Sequence, residues 1–322
     1  MKKSTKLSLP FILLLMLMLF VYIEYEDLIL DTLDITIPEL QELTQEEPIE
    51  EIIIIHPNVS TLSIASWNIQ NFGQSKARNE PIIDEIVQRI IEYDIIAIQE
   101  ITNVNEKVDL NCDRNENAHN HQNFRVIRTA LEEGFDRFNA TNYRIKISPH
   151  VFNERYMYVY DSTKTNLLES YFVEDYNTSQ ICQMDRDHAG LMLREPYVGV
   201  FYINETTNLT LMNVHTSPSS NHDELMSLKY FYDKELLKHD YVLLLGDLNF
   251  GCSYYPDFNM FNESIFIFGD DANTNVAQSQ CAYDRMLYDE PFFGTFVEKG
   301  IDTTITRNIS DHYLIWTQLA LN

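Results

Sequence analysis

Short apolar runs alternate with amphipathic stretches from Leu62 to the end of the chain. "LSIASWNI" (62–69), "YRIKIS" (143–148), "RYMYVYD" (155–161) and "YVGVFYI" (197–203) have the period of strands. "DIIAIQE" (94–100) and the run Tyr241–Leu245 are continuously apolar, as strands buried on both faces are. "LTLMNVHTS" (209–217), "CAYDRMLY" (281–288) and "DHYLIWTQL" (311–319) complete the strands. "PIIDEIVQRIIEY" (81–93) repeats its apolar residues at helical spacing behind a proline, the usual first-turn position. Gln122–Gly134 and Asp223–Lys238 read as two further helices. Strands and helices mix throughout 61–322, with no repeat and no internal linker. That pattern predicts one α/β domain.

Two segments before residue 61 follow other rules. Lys2, Lys3 and Lys6 precede a mostly apolar run from Leu7 to Ile23, which is a membrane-targeting segment. Ile23, Glu24, Tyr25 and Glu26 offer no small-residue cleavage site, so residues 1–23 read as a signal anchor in preference to a cleaved signal peptide. Residues 24–60 hold eleven acidic residues, no Lys or Arg, and three prolines, and read as an acidic stalk. The catalytic body is then expected outside the cytoplasm, secreted or membrane-anchored.

Charge narrows the partners. The formal net charge is −26, and residues 61–322 alone contribute −18 from 20 basic and 38 acidic residues. This lacks the basic footprint of a protein that grips nucleic acid by charge. A polyanionic substrate would need metal ions to offset the repulsion. The four cysteines, Cys112, Cys182, Cys252 and Cys281, favour disulfides in an oxidising compartment, and the lack of C-x-x-C spacing argues against structural zinc. Seven Asn-x-Ser/Thr sequons permit glycosylation.

The candidate chemistry sits at strand ends. Asn68, Glu100, His215, Asp247 with Asn249, Asp284, and Asp311 with His312 all fall at or beside the ends of predicted strands, and Glu154 stands at the start of one. Any one of them could be a cap, a turn residue or a satisfied structural histidine. Together they are hard to attribute to turns, because sites in α/β folds assemble at strand ends. Carboxylates and amides suit a hard divalent cation. Two histidines, each near an acid, suit a general acid and a general base. There is no Gly-rich phosphate loop and no serine or cysteine elbow. Metal-assisted attack of water on a phosphoester fits this set.

The motifs "SWNIQNFG", "DIIAIQEI", "NERYMYVY", "REPYVGVF", "NVHTSP", "LLLGDLNFGCSYY", "CAYDR" and "ISDHYLIW" resemble, in order, those of the deoxyribonuclease I family within the endonuclease/exonuclease/phosphatase superfamily. The resemblance spans Leu62–Leu319. It implies a four-layer sandwich, two packed and mainly antiparallel β-sheets flanked by helices. It also implies an endonuclease that leaves 5′-phosphate ends and depends on Mg2+ and Ca2+. Carried over by motif, His215 with Glu154 and His312 with Asp284 form two acid–base pairs. The motifs do not say which histidine is the acid and which the base; our expectation is that His312 activates water and His215 protonates the leaving oxygen. Asp247 and Asn249 belong to the catalytic set, and Glu100, Asn68 and Asp311 to the metal set. Arg194 and Tyr283 would bind the DNA backbone. Two groove positions depart from the family: Thr102 replaces an arginine, and Phe152 replaces a tyrosine. Both changes bear on affinity or sequence preference before chemistry. Cys252 and Cys281 match the family's larger disulfide, and Cys112 and Cys182 are expected to pair with each other. Expected partners are DNA, held weakly and with little sequence preference, and a membrane if the N-terminal segment is retained. The chain is expected to act as a monomer. The competing readings are a phosphoesterase acting on phosphoinositide, sphingomyelin or abasic DNA, and a non-enzymatic surface-binding protein. The narrow motifs argue against the first, and the full set of acids and histidines against the second.

Overall fold

The computed structural model describes residues 60–102, 121–149, 151, 154–173, 192–218, 221–251, 259–277 and 280–321. All of them belong to one compact unit, Ile54–Asn322. The targeting segment, nearly all of the acidic stalk, Phe152, Cys112, Cys182 and Cys252 lie outside the described residues.

Twelve strands form two six-stranded sheets. The first contains β1 (Thr61–Phe72), β2 (Ile95–Thr102), β3 (Tyr143–Ile147), β4 (Glu154–Asp161), β11 (Gly294–Asp302) and β12 (Leu314–Leu321), in the order β11-β12-β1-β2-β4-β3. The second contains β5 (Asn166–Phe172), β6 (Tyr197–Asn204), β7 (Thr207–His215), β8 (Val242–Asp247), β9 (Ile265–Phe266) and β10 (Asp284–Tyr288), in the order β5-β6-β7-β8-β10-β9. Every pairing is antiparallel except β1 with β2 and β7 with β8. The described helices are α1 (Gln74–Ala77), α2 (Glu80–Ile90), α3 (His121–Arg137) and α4 (Asn221–Leu236).

Strand alternation builds the layers. Leu62 and Ile64 of β1 pack with Tyr156, Tyr158, Tyr197, Phe201, Leu211, Leu243 and Leu245 in the core between the sheets. Their neighbours Ala65, Trp67 and Ile69 point to the other face and meet Ile83, Ile86, Val87 and Ile90 of α2 and Ile127 and Leu131 of α3. On the second sheet, Met212, Val214, Val242 and Leu244 face Leu225, Leu228 and Tyr232 of α4. The result is the expected four layers, helix–sheet–sheet–helix, with three apolar seams. The Tyr158 hydroxyl ties the sheets together, lying 2.7 Å from the Tyr197 carbonyl oxygen and 2.9 Å from that of Leu211, between which it shares its one hydrogen.

The elements predicted from pattern are present, with ends shifted by a few residues. β5, β9 and β11 were not predicted. Each is an edge strand or carries half-exposed side chains on both faces, so no alternation marks it.

The two parallel pairs position the site. In each, a crossover containing a helix (α2 or α4) makes both strands end at the same rim. Their antiparallel neighbours β4 and β10 begin there. Asn68, Glu100, His215 and Asp247 therefore arrive at strand ends, and Glu154 and Asp284 at strand starts.

Candidate active site

In the second sheet three site residues share one row. His215 of β7 lies opposite Asp247 of β8, which lies opposite Asp284 of β10. Such neighbours on adjacent strands, about 4.8 Å apart, point to the same side. Gly246 makes the row possible: its φ is +143°, and a Cβ there would sit 1.9 Å from the Val214 carbonyl oxygen. No side chain fits between β7 and β8 at this point. In the first sheet, bulges interrupt the register after Asn68 on β1 and after Ile98 on β2. Bulges of this kind re-aim side chains beside active sites. Glu100 adopts φ +59° and Asn249 φ +43°. Asn tolerates this left-handed region, whereas Glu is strained there, a form of strain that gathers at functional sites.

Each imidazole is held by a carboxylate. His215 Nδ1 lies 2.8 Å from Glu154 Oε1, and His312 Nδ1 lies 2.8 Å from Asp284 Oδ2. The carboxylates assign the hydrogen to Nδ1 in both rings and leave Nε2 for chemistry. Both Nε2 atoms lie 3.5 Å from the same atom, Asp247 Oδ2. Asp247 is itself fixed, accepting from Asn68 Nδ2 (3.0 Å) and from the Asn249 backbone N–H (2.8 Å).

The remaining predicted residues fall around this core. Asn68 Nδ2 also donates to Glu100 Oε1 (3.0 Å), while Asn68 Oδ1 accepts from the Gln70 backbone (3.0 Å), so its amide turns its nitrogen toward the carboxylates. Glu100 Oε2 accepts from the Asn71 N–H (2.8 Å). Asp311 stands at the rim and accepts from Gln70 Nε2 (2.8 Å). Asn249 Nδ2 donates to the Thr216 carbonyl (2.8 Å), tying the ends of β7 and β8 together. Arg194 is buried behind His215: its Nε lies 2.9 Å from Glu154 Oε1 and donates to the His215 carbonyl, and its Nη2 donates to the Thr216 carbonyl. The Tyr283 ring lies beside His312, with centroids 6.1 Å apart. Thr102, where the family has an arginine, is buried. Cys281 is disulfide-bonded.

Several further contributors have no role assigned from the sequence, although Ser310, Gln99 and Asn213 stand inside its motifs. Ser310 Oγ donates to the Asn68 carbonyl (2.6 Å) and accepts from the His312 N–H (3.0 Å). Thr274 Oγ1 accepts from the backbone of Tyr283 and Asp284. Beneath the site, Gln99 Nε2 donates across the sandwich to Asn213 Oδ1 (2.7 Å), and Asn213 Nδ2 donates to the Ile98 carbonyl. These residues act through backbone groups or across the two sheets, so spacing in the chain does not say what they bind.

Burial opposes charge on both rings, yet the carboxylates win. Glu154 and Asp247 raise His215, with Arg194 opposing. Asp284, Asp247 and Asp311 lift His312 to about 10. Burial works against ionised Asp247, but the two imidazoles and its two hydrogen bonds hold it below the usual carboxylate range. Burial pushes Asp284 up in spite of His312. A stability prediction follows for the metal-free protein. His312 has a folded pKa above its unfolded value of about 6.5, so its contribution is complete below that pH and is lost as pH rises through about 10. Urea midpoints in EDTA should fall between pH 7 and 10, and less steeply in His312→Gln. Parallel slopes for the two proteins would contradict a raised imidazole.

The donor set fits a hard divalent cation. Five carboxylates (Glu100, Glu154, Asp247, Asp284 and Asp311) surround two imidazoles. Ligand atoms of Asp247, Asp284 and His312 lie within 4.8 Å of one another, and Asp284 Oδ1 is buried without a hydrogen-bond partner among the described residues.

The model of the endonuclease/exonuclease/phosphatase family matches residues 65–312. The chain belongs to this family. Human deoxyribonuclease gamma is 27% identical over 250 residues, covering 73% of this chain and 74% of that protein. Human deoxyribonuclease-1 is 26% identical over 291 residues, covering 80% and 92%. The resemblance to the deoxyribonuclease I branch thus holds at modest identity. A solved endonuclease/exonuclease/phosphatase from Bacteroides vulgatus shares the fold with a TM-score of 0.53 and 14% identity, covering 82% of this chain and all of that one. Among the described residues, no helix is long and apolar enough to cross a membrane.

Proposed function

We propose that this protein is a divalent-metal-dependent endonuclease that hydrolyses DNA phosphodiester bonds outside the cytoplasm and leaves 5′-phosphate ends. The observation that carries the reading is the pair of carboxylate-held imidazoles whose Nε2 atoms both lie 3.5 Å from one oxygen of Asp247. Two imidazoles turned toward one point can serve the attacking and the departing oxygen of a phosphate seated there. The deoxyribonuclease relatives support DNA as the substrate.

The chain's own groups divide the work. One imidazole takes a proton from water, and the other gives one to the O3′ leaving group. Glu154 and Asp284 orient the rings and stabilise the imidazolium forms. Arg194 opposes protonation of His215, whereas His312 gains from three carboxylates. In the metal-free protein this favours His312 as the acid and His215 as the base, the reverse of the allocation expected from the sequence. Asn68 and Asn249 hold Asp247, and Arg194 and Tyr283 flank the seat of the DNA backbone. Glu100 and Asp311, with Asn68 orienting Glu100, would hold Mg2+, and Ca2+ would support the fold or the site. When bound, the cation neutralises phosphate charge and polarises the ester. It also offsets the net charge of −26, which otherwise repels DNA.

In a plasmid-nicking assay EDTA should abolish activity and Mg2+ should restore it. The ends should accept ligation without phosphorylation by a kinase. Hydrolysis of phosphoinositide or sphingomyelin with intact plasmid would favour the other phosphoesterase reading instead. Residues 1–23 are proposed to carry the domain across or into a membrane, and 24–60 to act as a stalk. N-terminal sequencing of a C-terminally tagged, secreted product separates cleavage from anchoring. The proposed disulfides are Cys252–Cys281 and Cys112–Cys182, checked by mass-spectrometric mapping.

A further inference from the structure

Lys76 in α1 has no part in the chemistry above. Its half-buried ammonium donates to the carbonyls of Ile69 (3.1 Å), Gln70 and Ile309. An ammonium has three hydrogens, so all of them go to neutral carbonyls. Among the described residues it forms no ion pair. Two of the carbonyls belong to the end of β1, just past Asn68. The third belongs to the turn before Ser310, Asp311 and His312. Lys76 and Ile309 are 233 positions apart in the chain. Glu100 and Asp311 act on the ammonium through space. Burial pushes its pKa down to about 8, and those carboxylates oppose the shift. An apolar side chain in α1 would avoid the cost of desolvating a charge. A lysine at this place therefore calls for a reason.

We propose that Lys76 is a positioning residue: it clamps the Asn68–Glu100 arm of the site to the Asp311–His312 arm, and its charge limits how tightly Glu100 and Asp311 hold a divalent cation. The inference rests on the nuclease reading above. It has two consequences of opposite sign. Loosening the clamp displaces groups that must meet one phosphate, and a shift of about 1 Å can cost about 100-fold in rate. Removing the positive charge strengthens cation binding. A lysine with only a structural role would lower stability without tightening the metal.

The test uses the full chain with Lys76→Met and Lys76→Arg, each assayed well below its unfolding midpoint. Turnover and KM for plasmid nicking are measured in saturating Mg2+. Mn2+ affinity is measured without DNA by the electron-spin signal of the free ion, counting only the binding lost in Glu100→Gln. Lys76→Met is expected to lower kcat by about 10–100-fold with KM within about twofold, and to bind Mn2+ about 3–10-fold more tightly. Lys76→Arg keeps the charge, so its Mn2+ affinity stays near wild type. Its planar fork cannot serve three carbonyls that converge on one nitrogen, so its kcat stays low. Wild-type kcat in Lys76→Met, or unchanged or weaker Mn2+ binding, overturns the proposal. If Lys76→Met does not fold, Lys76→Gln carries the same comparison. Failure of the wild type to nick DNA, or Mn2+ binding undisturbed in Glu100→Gln, counts against the nuclease reading. Normal nicking by the wild type with an unaltered Lys76 variant defeats only the clamp.

Discussion

Replacing His215 or His312 by alanine is expected to lower the turnover of plasmid nicking by about 10²–10⁴-fold, the usual contribution of a positioned acid or base. Each ring is held at Nδ1 by a buried carboxylate and turns Nε2 toward Asp247, so neither can substitute for the other. The core seams do not depend on either ring. Circular dichroism should therefore stay native while activity falls. The double variant should lose less than the product of the single losses, because groups acting as a unit are not additive. A substrate with sulfur in place of the bridging O3′ separates the roles. Its thiolate departs without a proton, so the variant lacking the acid recovers on it. The metal-free electrostatics assign that recovery to His312→Ala. Near-wild-type nicking by both single variants would remove the two-imidazole mechanism altogether.

Asp247→Asn should be nearly as damaging, with turnover down about 10²–10³-fold, the scale of losing a preorganised electrostatic group. The amide keeps the shape, and its single oxygen can accept one of the two hydrogen bonds that Asp247 accepts, from Asn68 at Oδ2 or from the Asn249 N–H at Oδ1; backbone pairing through β7, β8 and β10 should keep the row standing. What disappears is the charge shared by the two imidazoles. Asp247 raises both rings, so both should release their protons at lower pH in the variant. NMR titration of the ring protons reads this without any turnover. Midpoints of both rings that do not move would show that Asp247 is not the charge they share.

Burial writes a pattern that is legible in the chain. Val242–Asp247 is buried throughout, so the polar residues that follow its aliphatic run announce a strand end. Glu100, His215 and Asp284 stand out as candidates for the same reason, each beside the end or start of a largely buried strand. Pairing was harder to see. Nothing in the spacing links Glu154 to His215, which are 61 positions apart, and only the family resemblance supplied that match. The roles of the supporting residues are not written in the chain, even where a motif contains them. Ser310 and Thr274 act through backbone groups, and the Gln99–Asn213 tie exists only once the sheets are stacked. β5 and β11 were missed because an edge strand with half-exposed faces has no hydrophobic rhythm. The orientation of the Asn68 amide likewise depends on a backbone N–H two residues on.

The neighbours of β1 carry one more implication. On one side β1 pairs with β12, from Thr61 opposite Ala320 to Ser66 opposite Ile315. Its other neighbour is β2, so Asn68 stands on a strand held from both sides. The strand that carries His312 to the site is thus also the strand that shields one edge of β1. Loss of β12 would unseat the second imidazole and bare an edge of the sheet beneath Asn68 in a single event, so damage there is expected to disable the site and to invite edge-to-edge association together.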